Sequence, residues 1–224
     1  MPAALLFDLD GTLIHSDPIH VEVFGDLYRE RGRPFEAADY YRHIHGRENV
    51  AIFSEAFPDE DPHALSDEKE ARFRDRLARI EAPIMPGAAA LMTRATAAGW
   101  SIAIVTNAPR DNAHAMLSAL GLSDHAQELV IGGECARAKP DPLPYQEAMR
   151  RLGVTPDRAL AFEDSPSGAR AARGSGAYTI GIRSSLDDHA LRQAGAHLTL
   201  EDFTDPALEP ALARLTDETG AYPT

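Results

Sequence analysis

Short, continuous apolar runs alternate along the chain with longer segments in which apolar residues recur at helical spacing. A short apolar run that ends in polar residues is typical of a buried strand in a parallel sheet. The sequence contains six such runs, at residues 3–7, 102–105, 129–131, 159–162, 178–182 and 198–200. Because helical patterns separate these runs, we predict a doubly wound, Rossmann-like α/β core with a parallel sheet.

The helical patterns fall into two groups. Those between the later apolar runs cover residues 88–98, 112–120, 144–152 and 167–174, and each ends at a glycine or a glycine-rich turn. The interval 17–84 has no strand-like run and predicts helices over residues 18–31, 37–41, 49–57 and 66–80. Ser16 or Asp17 can cap the first of these helices, with Pro18 at its first position. We therefore predict a core domain of residues 1–16 and 85–224, into which a helical domain of residues 17–84 is inserted.

Composition and charge limit the classes of function. The 224 residues include 44% hydrophobic and 25% charged residues, and the formal net charge is −13. This acidic balance argues against nucleic acid and anionic membrane surfaces as partners, although local cations can still hold a small anionic substrate. No apolar segment is long enough to cross a membrane, and the N-terminus lacks the basic segment of a signal peptide. We expect a cytoplasmic monomer, with a peripheral tail from Asp202 onward.

Two carboxylates, Asp8 and Asp10, follow the first predicted strand. Because side chains alternate along a strand, both point to the same side. They lie at the carboxyl end of the strand, which is where open α/β sheets bind ligands. Two acids beside a buried apolar strand are costly unless a cation neutralises them. An isolated Asp-x-Asp is more often one helix cap and one solvated acid, so further groups are needed to establish a site.

Three other strand ends supply such groups. Glu163 and Asp164 add two carboxylates, and oxygen ligands from two strand ends are what Mg²⁺ takes in proteins. Thr106 and Asn107 add a hydroxyl, an amide and backbone N–H groups at a helix start, which suit a phosphate. Lys139 adds a compact cation for a phosphoryl oxygen. Together these groups predict a metal-assisted phosphate site at one edge of the sheet.

With these four motifs the sequence resembles the haloacid dehalogenase (HAD) superfamily of phosphatases. The helical insert resembles the C1 cap of subfamily IA, and the resemblance covers roughly residues 3–183. Within the superfamily the chain is similar to sugar-phosphate and phosphoglycolate phosphatases and to β-phosphoglucomutases. The motifs stand here as Asp8-Leu9-Asp10-Gly11-Thr12-Leu13, Thr106-Asn107, Lys139-Pro140-Asp141-Pro142 and Phe162-Glu163-Asp164-Ser165.

The resemblance implies a role for each motif residue. Asp8 would attack phosphorus and carry an aspartyl-phosphate, while Asp10 would protonate the leaving oxygen and then activate water. Thr106 and Lys139 would complete the catalytic groups. The ligands implied for Mg²⁺ are Asp8, Asp10, Asp164 and Glu163, the last either directly or through water. The phosphate-binding residues implied are Asn107, Gly11 and Thr12.

Several reactions are known in this superfamily, and the motifs discriminate among them. Asp10 argues against a dehalogenase, because a halide leaving group needs no acid, and no insert lysine has the pattern of a phosphonatase. A β-phosphoglucomutase-like phosphomutase stays open, but Thr12 favours hydrolysis because mutases often carry valine there. A non-catalytic metabolite-binding protein is disfavoured by the complete set of motifs. The expected function is Mg²⁺-dependent hydrolysis of a small phosphorylated metabolite, such as a sugar, polyol or glycolate-type phosphate.

The helical insert contains three candidates for substrate contact. His20 lies one turn into the first insert helix, and Arg47 and Lys69 resemble cap positions of phosphoglucomutase-like relatives. The alternatives are a surface histidine, a solvated loop cation and a member of an exposed salt-bridge ladder, respectively. His15 stands at the hinge between core and cap, where most relatives have aspartate. No specific substrate can therefore be transferred from a relative.

Overall fold

The computed structural model describes residues 2–216, and in it the six apolar runs form one sheet. The strand order is β3-β2-β1-β4-β5-β6, and every neighbouring pair is parallel. The doubly wound, Rossmann-like core predicted from the sequence is therefore confirmed. The strands are β1 (Ala4–Phe7), β2 (Ser101–Thr106), β3 (Glu128–Ile131), β4 (Ala159–Glu163), β5 (Tyr178–Ile182) and β6 (Leu198–Leu200).

Strand β1 lies at the centre of the sheet, and the strand order reverses beside it. All its residues are buried, which explains why its sequence is apolar throughout. Phe7, its last residue, pairs with Ile104 of β2 and with Phe162 of β4. In sheets of this order, ligands bind outside the carboxyl ends of the strands at the point of reversal. The residues that follow β1 and β4 therefore lie where a site is expected.

Helices cover both stretches of the chain in which they were expected. A π-helical segment, Tyr40–Ile44, continues directly from α2. No helix within residues 2–216 combines the length and the apolarity that a membrane crossing needs. The helices are α1 (Asp17–Glu30), α2 (Ala37–Asp39), α3 (Asn49–Ala56), α4 (Pro62–Leu77), α5 (Ala88–Ala97), α6 (Arg110–Ala119), α7 (Leu143–Leu152), α8 (Pro166–Gly174), α9 (Asp188–Ala194) and α10 (Leu208–Thr216).

The chain divides into two compact units. The first contains the sheet and consists of the residues up to His15 and from Pro83 onward, while the second is Ser16–Ala82. The helical unit has a core of its own, in which the rings of Phe24 and Phe53 stack at 5.5 Å. That this unit acts as a cap over a substrate stays a prediction.

The tail from Asp202, expected to be peripheral, contributes Phe203 and one face of α10 to the core, so that prediction was wrong. The Phe203 ring centroid lies 5.8 Å from that of Phe7 and 5.3 Å from that of Phe162. Pro210 does not break α10, because it lies in the first turn, where proline is tolerated. Residues 217–224 of the predicted tail lie outside the described residues. The residues that α10 buries are Leu208, Ala211, Leu212 and Leu215.

Helix α4 begins earlier than residue 66, where the sequence placed its start. Asp61 is the residue before the helix, and its carboxylate accepts a hydrogen bond from the His63 backbone N–H at 2.9 Å. Pro62 follows at the first helical position, which proline favours. The aspartate and proline were therefore the start signal, ahead of the periodic apolar residues.

Candidate active site

The lysine expected to hold phosphoryl oxygens is buried among three acceptors. Lys139 Nζ donates to Asp8 Oδ1, to the Val105 carbonyl and to Glu163 Oε1, each at 2.6 Å. An ammonium group has three protons, so these contacts use all of them and fix its direction. Burial alone would lower the pKa of Lys139, but the carboxylates of Asp8 and Glu163 outweigh it and raise that pKa. The charged ammonium thus links the carboxyl ends of β1, β2 and β4.

Three buried carboxylates converge at the same edge of the sheet. One oxygen each of Asp8, Glu163 and Asp164 lies within 4.8 Å of the other two. Burial raises the pKa of Asp8 to about 8; Lys139 opposes this shift, and the charges of Glu163 and Asp10 add to it. Three acids facing one ammonium leave an excess of negative charge, and their hard oxygen atoms suit a divalent cation. The arrangement therefore fits a divalent metal ion.

Asp10 lies in the turn after β1, where its backbone forms an isolated bridge with Ile14. Its charge contributes to the raised pKa of Asp8, so the two carboxyl groups are close enough to interact. The sequence also assigned Asp10 to the metal. Among residues 2–216 the convergent carboxylates are those of Asp8, Glu163 and Asp164, and a metal contact from Asp10 stays a prediction.

The turn after β1 also presses two motif residues against Asp164. Thr12 is fully buried, and its Oγ1 donates to Asp164 Oδ1 at 3.4 Å. Gly11 has a φ of 73°, a conformation that glycine adopts without strain, and a Cβ at this position would overlap the Asp164 carboxylate. Both residues thus restrain Asp164, and the phosphate contact assigned to them stays a prediction.

The residues at the end of β2 connect to the lysine loop. Thr106 is buried, and its Oγ1 accepts a hydrogen bond from the Ala108 backbone N–H at 3.0 Å. The Asn107 side chain donates from Nδ2 to the Lys139 carbonyl at 3.2 Å and accepts at Oδ1 from the Lys139 N–H at 3.3 Å. A Cβ on Gly132 would overlap this amide. The Asn107 side chain therefore holds the loop of Lys139, a role that the sequence did not indicate.

In the helical unit, the ring of Phe73 brings His20 and Lys69 together. The half-buried His20 ring stacks on it at 4.3 Å, and Lys69 Nζ lies 5.6 Å from its centroid. Lys69 is 4% exposed and donates to Glu70 Oε1 at 2.9 Å, an oxygen that also accepts from Asn49 Nδ2 at 2.6 Å. The alternative of an exposed salt-bridge ladder is therefore wrong for Lys69.

Arg47 has different surroundings. Its Nη1 donates to the His43 carbonyl at 2.9 Å, and its Nη2 lies 2.5 Å from Glu55 Oε1. The guanidinium is exposed and faces a cavity of the helical unit that Tyr28 and Phe35 also line. These contacts agree with the alternative interpretation of Arg47 as a solvated loop cation. A contact between Arg47 and the substrate stays a prediction.

His15 is exposed at the margin of the sheet unit. Its backbone N–H donates to the Pro83 carbonyl at 2.8 Å, where the chain returns to that unit. Its side chain lines a cavity together with Arg183 and Glu201, and none of the convergent carboxylates lines that cavity. The structure therefore places His15 outside the carboxylate cluster.

Tyr145 of α7 contacts the cluster directly, although the sequence did not indicate it as a site residue. Tyr145 is fully buried, and its hydroxyl donates to Glu163 Oε1 at 2.7 Å. Burial raises the pKa of Tyr145 well above its usual value, so the hydroxyl keeps its proton. The available signal was a tyrosine in the helix that follows the lysine motif, since a buried hydroxyl needs a partner. The sequence could not show that the partner is Glu163.

Comparison with known proteins gives a family for this arrangement. The family model of haloacid dehalogenase-like hydrolases matches residues 2–176. The chain is 32% identical over 203 residues to validoxylamine A 7'-phosphate phosphatase of Streptomyces hygroscopicus subsp. limoneus. The aligned region covers 89% of this chain and 93% of that protein. It is 31% identical to a phosphoglycolate phosphatase of Rhodospirillum rubrum, with 91% of this chain and 88% of that protein covered.

A solved structure agrees with these relatives. A mutant of CbbY from Rhodobacter sphaeroides, in complex with xylulose-(1,5)bisphosphate, superposes with a TM-score of 0.78 at 28% identity over 91% of this chain and 95% of that one. The chain therefore belongs to the haloacid dehalogenase-like hydrolase family, and it is a phosphoric monoester hydrolase. The resemblance drawn from the four motifs is confirmed.

Proposed function

We propose that this haloacid dehalogenase-like hydrolase removes the phosphoryl group from a small phosphorylated metabolite, with Asp8 as nucleophile and Mg²⁺ as cofactor. The observation behind the proposal is the 2.6 Å contact between Lys139 Nζ and Asp8 Oδ1 within the cluster of buried carboxylates. A carboxylate held in this way is suited to attack phosphorus, and the adjacent cation is suited to the charge on the transferring oxygens.

The reaction proceeds in two steps with Asp10 as acid and then base. In the first step an Asp8 oxygen bonds to phosphorus while the bond from phosphorus to the leaving oxygen breaks. Asp10 gives that oxygen a proton, so the products are an alcohol and an aspartyl-phosphate. In the second step Asp10 takes a proton from water, and the water oxygen bonds to phosphorus while the bond from phosphorus to the Asp8 oxygen breaks. Inorganic phosphate leaves, and both acids return to their starting state.

The electrostatics of the cluster explain the need for a cation. Burial and the neighbouring acids disfavour the charge on Asp8 when Lys139 alone balances them. A divalent ion held by Asp8, Asp164 and Glu163 would supply the positive charge that keeps Asp8 ionised and lets it approach an anionic phosphate. The ammonium of Lys139, in the loop fixed by Asn107, then supplies a positive charge beside the transferring oxygens.

The substrate class is a sugar, polyol or glycolate-type phosphate monoester. Two similar proteins bear the names of phosphatases for validoxylamine A 7'-phosphate and for phosphoglycolate, and the similar CbbY structure contains a xylulose bisphosphate. His20 and Lys69, which meet around Phe73, are the proposed contacts for the non-reacting part of the substrate, with Arg47 as a further contact proposed from the sequence.

The test is release of inorganic phosphate from a panel of such esters, with and without Mg²⁺. The protein should hydrolyse at least one of them with Mg²⁺ and lose that activity on chelation. Asp8→Asn should lower kcat by roughly a thousandfold or more while the protein stays folded. Glu209→Gln, an exposed acid on α10 paired with Arg94, is the matched control and should keep full activity. No turnover by the wild type on any ester would refute the function, and retained activity in Asp8→Asn would refute the nucleophile.

Product analysis with β-glucose 1-phosphate separates hydrolysis from phosphomutase activity. If water is the acceptor, each molecule of substrate consumed yields one molecule of inorganic phosphate. Accumulation of glucose 6-phosphate without stoichiometric inorganic phosphate would show that the acceptor is a sugar instead.

A further inference from the structure

Tyr145 has no part in the two chemical steps, yet its hydroxyl contacts the network that holds the nucleophile. Glu163 Oε1 accepts two hydrogen bonds, from Tyr145 at 2.7 Å and from Lys139 Nζ at 2.6 Å. The same ammonium donates to Asp8 Oδ1. A continuous chain of contacts therefore runs from the Tyr145 hydroxyl to the nucleophile.

The Glu163 carboxylate is confined on its other side by helix α8. A Cβ on Gly168 would overlap that carboxylate, so the group packs directly against the helix backbone. Ser165 Oγ donates to Glu163 Oε2 at 3.4 Å. Glu163 is 0% exposed. Tyr145 and the start of α8 thus fix the position of the Glu163 side chain.

The fixed position of Glu163 affects how the Lys139 ammonium is shared between Glu163 and Asp8. The ammonium lies between two carboxylates, and each competes for it. A hydroxyl that donates to Glu163 Oε1 reduces the negative charge which that oxygen presents to Lys139, and it also fixes the oxygen's position. Without this donor, Glu163 attracts the ammonium more strongly and Asp8 receives less of its charge.

We infer that Tyr145 is a positioning residue for Lys139, acting through the Glu163 carboxylate. The inference rests on the proposed function and adds a residue of α7 to the groups that set the rate of phosphoryl transfer. The side chain does not touch the substrate. Tyr145 instead sets the position of the Lys139 ammonium, and with it the strength of the attraction between that ammonium and the negative charge on the transferring oxygens.

The test is Tyr145→Phe, assayed with saturating Mg²⁺ on an ester that the wild type hydrolyses. The variant keeps the ring, whose centroid lies 5.1 Å from Lys139 Nζ, and removes only the donor. We expect kcat to fall roughly tenfold, as for other residues that orient an active-site group. KM should change little, because substrate contacts are kept, and the thermal midpoint should fall by only a few degrees, through loss of one buried hydrogen bond. Gly168→Ala displaces the same carboxylate from the opposite side, and folded protein should also lose kcat.

Tyr178→Phe is the matched control. Tyr178 is the first residue of β5, so it lies at the amino ends of the strands, whereas the site lies at their carboxyl ends. Its ring stacks on that of His197 at 4.5 Å. This variant should keep the wild-type kcat. A kcat for Tyr145→Phe within about twofold of wild type, or a loss equal to that of Tyr178→Phe, would overturn the inference. A wild type that is inactive on every ester would instead refute the proposed function, so the two failures are distinguishable.

Discussion

At the residue scale, three glycines at the site stand where a β-carbon would overlap a motif side chain. Any larger residue there would displace an acid of the cluster or the amide that holds the lysine loop. Only Gly11 lies within a recognisable motif, so Gly132 and Gly168 could not be identified as site residues from the sequence. The pairs are Gly11 with Asp164, Gly132 with Asn107, and Gly168 with Glu163.

The identities of the charged groups were predictable, but their partners were not. Strand-end positions indicated Asp8, Lys139 and Asp164, because polar groups at the carboxyl edge of a buried sheet stand out against apolar runs. That Asn107 holds the backbone of Lys139, and that Tyr145 donates to an acid of another strand, depends on how loops and helices pack. Sequence spacing carries no information about such contacts.

The hydrogen bond from Thr12 to Asp164 predicts how metal affinity depends on a hydroxyl. Thr12→Val keeps the volume of a fully buried side chain but removes the donor to Asp164 Oδ1. We expect the Mg²⁺ concentration for half-maximal activity to rise roughly tenfold, because a partner that orients a metal ligand is lost. At saturating Mg²⁺ the rate should be largely restored.

The control for this change is Thr179→Val. Thr179 is also fully buried, and its Oγ1 donates to the Ala177 carbonyl, away from the cluster. It should leave the Mg²⁺ dependence unchanged. If both variants shift the half-maximal concentration equally, or neither does, Thr12 does not orient Asp164.

At the element scale, the strands were easier to predict than the late helices. A parallel strand with both faces covered is apolar along its whole length, so all six runs were visible. Helix α9 is short and begins with a cap at Asp187, whose carboxylate accepts from the Ala190 N–H at 2.8 Å. Helix α10 follows acidic residues and prolines that resemble a loop. The residues that it buries do recur at helical spacing, but the sequence does not show that they pack into the core.

The pairing of β5 and β6 predicts a pH dependence of stability. His197 Nδ1 accepts from the Thr179 N–H at 3.0 Å, which requires this nitrogen to be unprotonated. Burial lowers the pKa of His197 below its usual 6.5, and Arg173 and Arg214 act in the same direction. The unfolded chain gains a proton as the pH falls below about 6.5, whereas native His197 gains it only at a lower pH. The free energy of unfolding should therefore decrease as the pH falls from about 7 to about 5.

Urea titrations at several pH values measure this effect. His197→Gln removes the titrating group, so its stability should fall less over the same pH range. His114→Gln replaces an exposed histidine of α6 and should keep the wild-type dependence. Identical pH dependence in the wild type and in His197→Gln would show that His197 does not contribute.

At the scale of the whole molecule, the chain has a net charge of −13 and also buries Asp8, Glu163 and Asp164 together at the carboxyl ends of its strands. Binding of Mg²⁺ to the native cluster, and not to the unfolded chain, should stabilise the fold. We expect saturating Mg²⁺ to raise the thermal midpoint by about 5 °C, and chelation to reverse the shift. Asp164→Asn should abolish the shift.

Glu209→Gln serves as the control for that experiment, because it removes the same charge from the surface. Its midpoint should rise with Mg²⁺ as in the wild type. An equal rise in Asp164→Asn would mean that the ion acts elsewhere on the acidic surface.

In the proposed reaction Asp8 carries the phosphoryl group while Asp10 directs water to it. The most direct measurement is rapid-mixing release of p-nitrophenolate from p-nitrophenyl phosphate by Asp10→Asn, followed by mass spectrometry of the quenched protein. This leaving group needs no proton, so the first step proceeds while hydrolysis of the intermediate is slow. We predict a burst of about one p-nitrophenolate per protein molecule, with the phosphoryl group on Asp8. Linear release at the wild-type rate would contradict the role of Asp10, and a phosphoryl group on another residue would contradict that of Asp8.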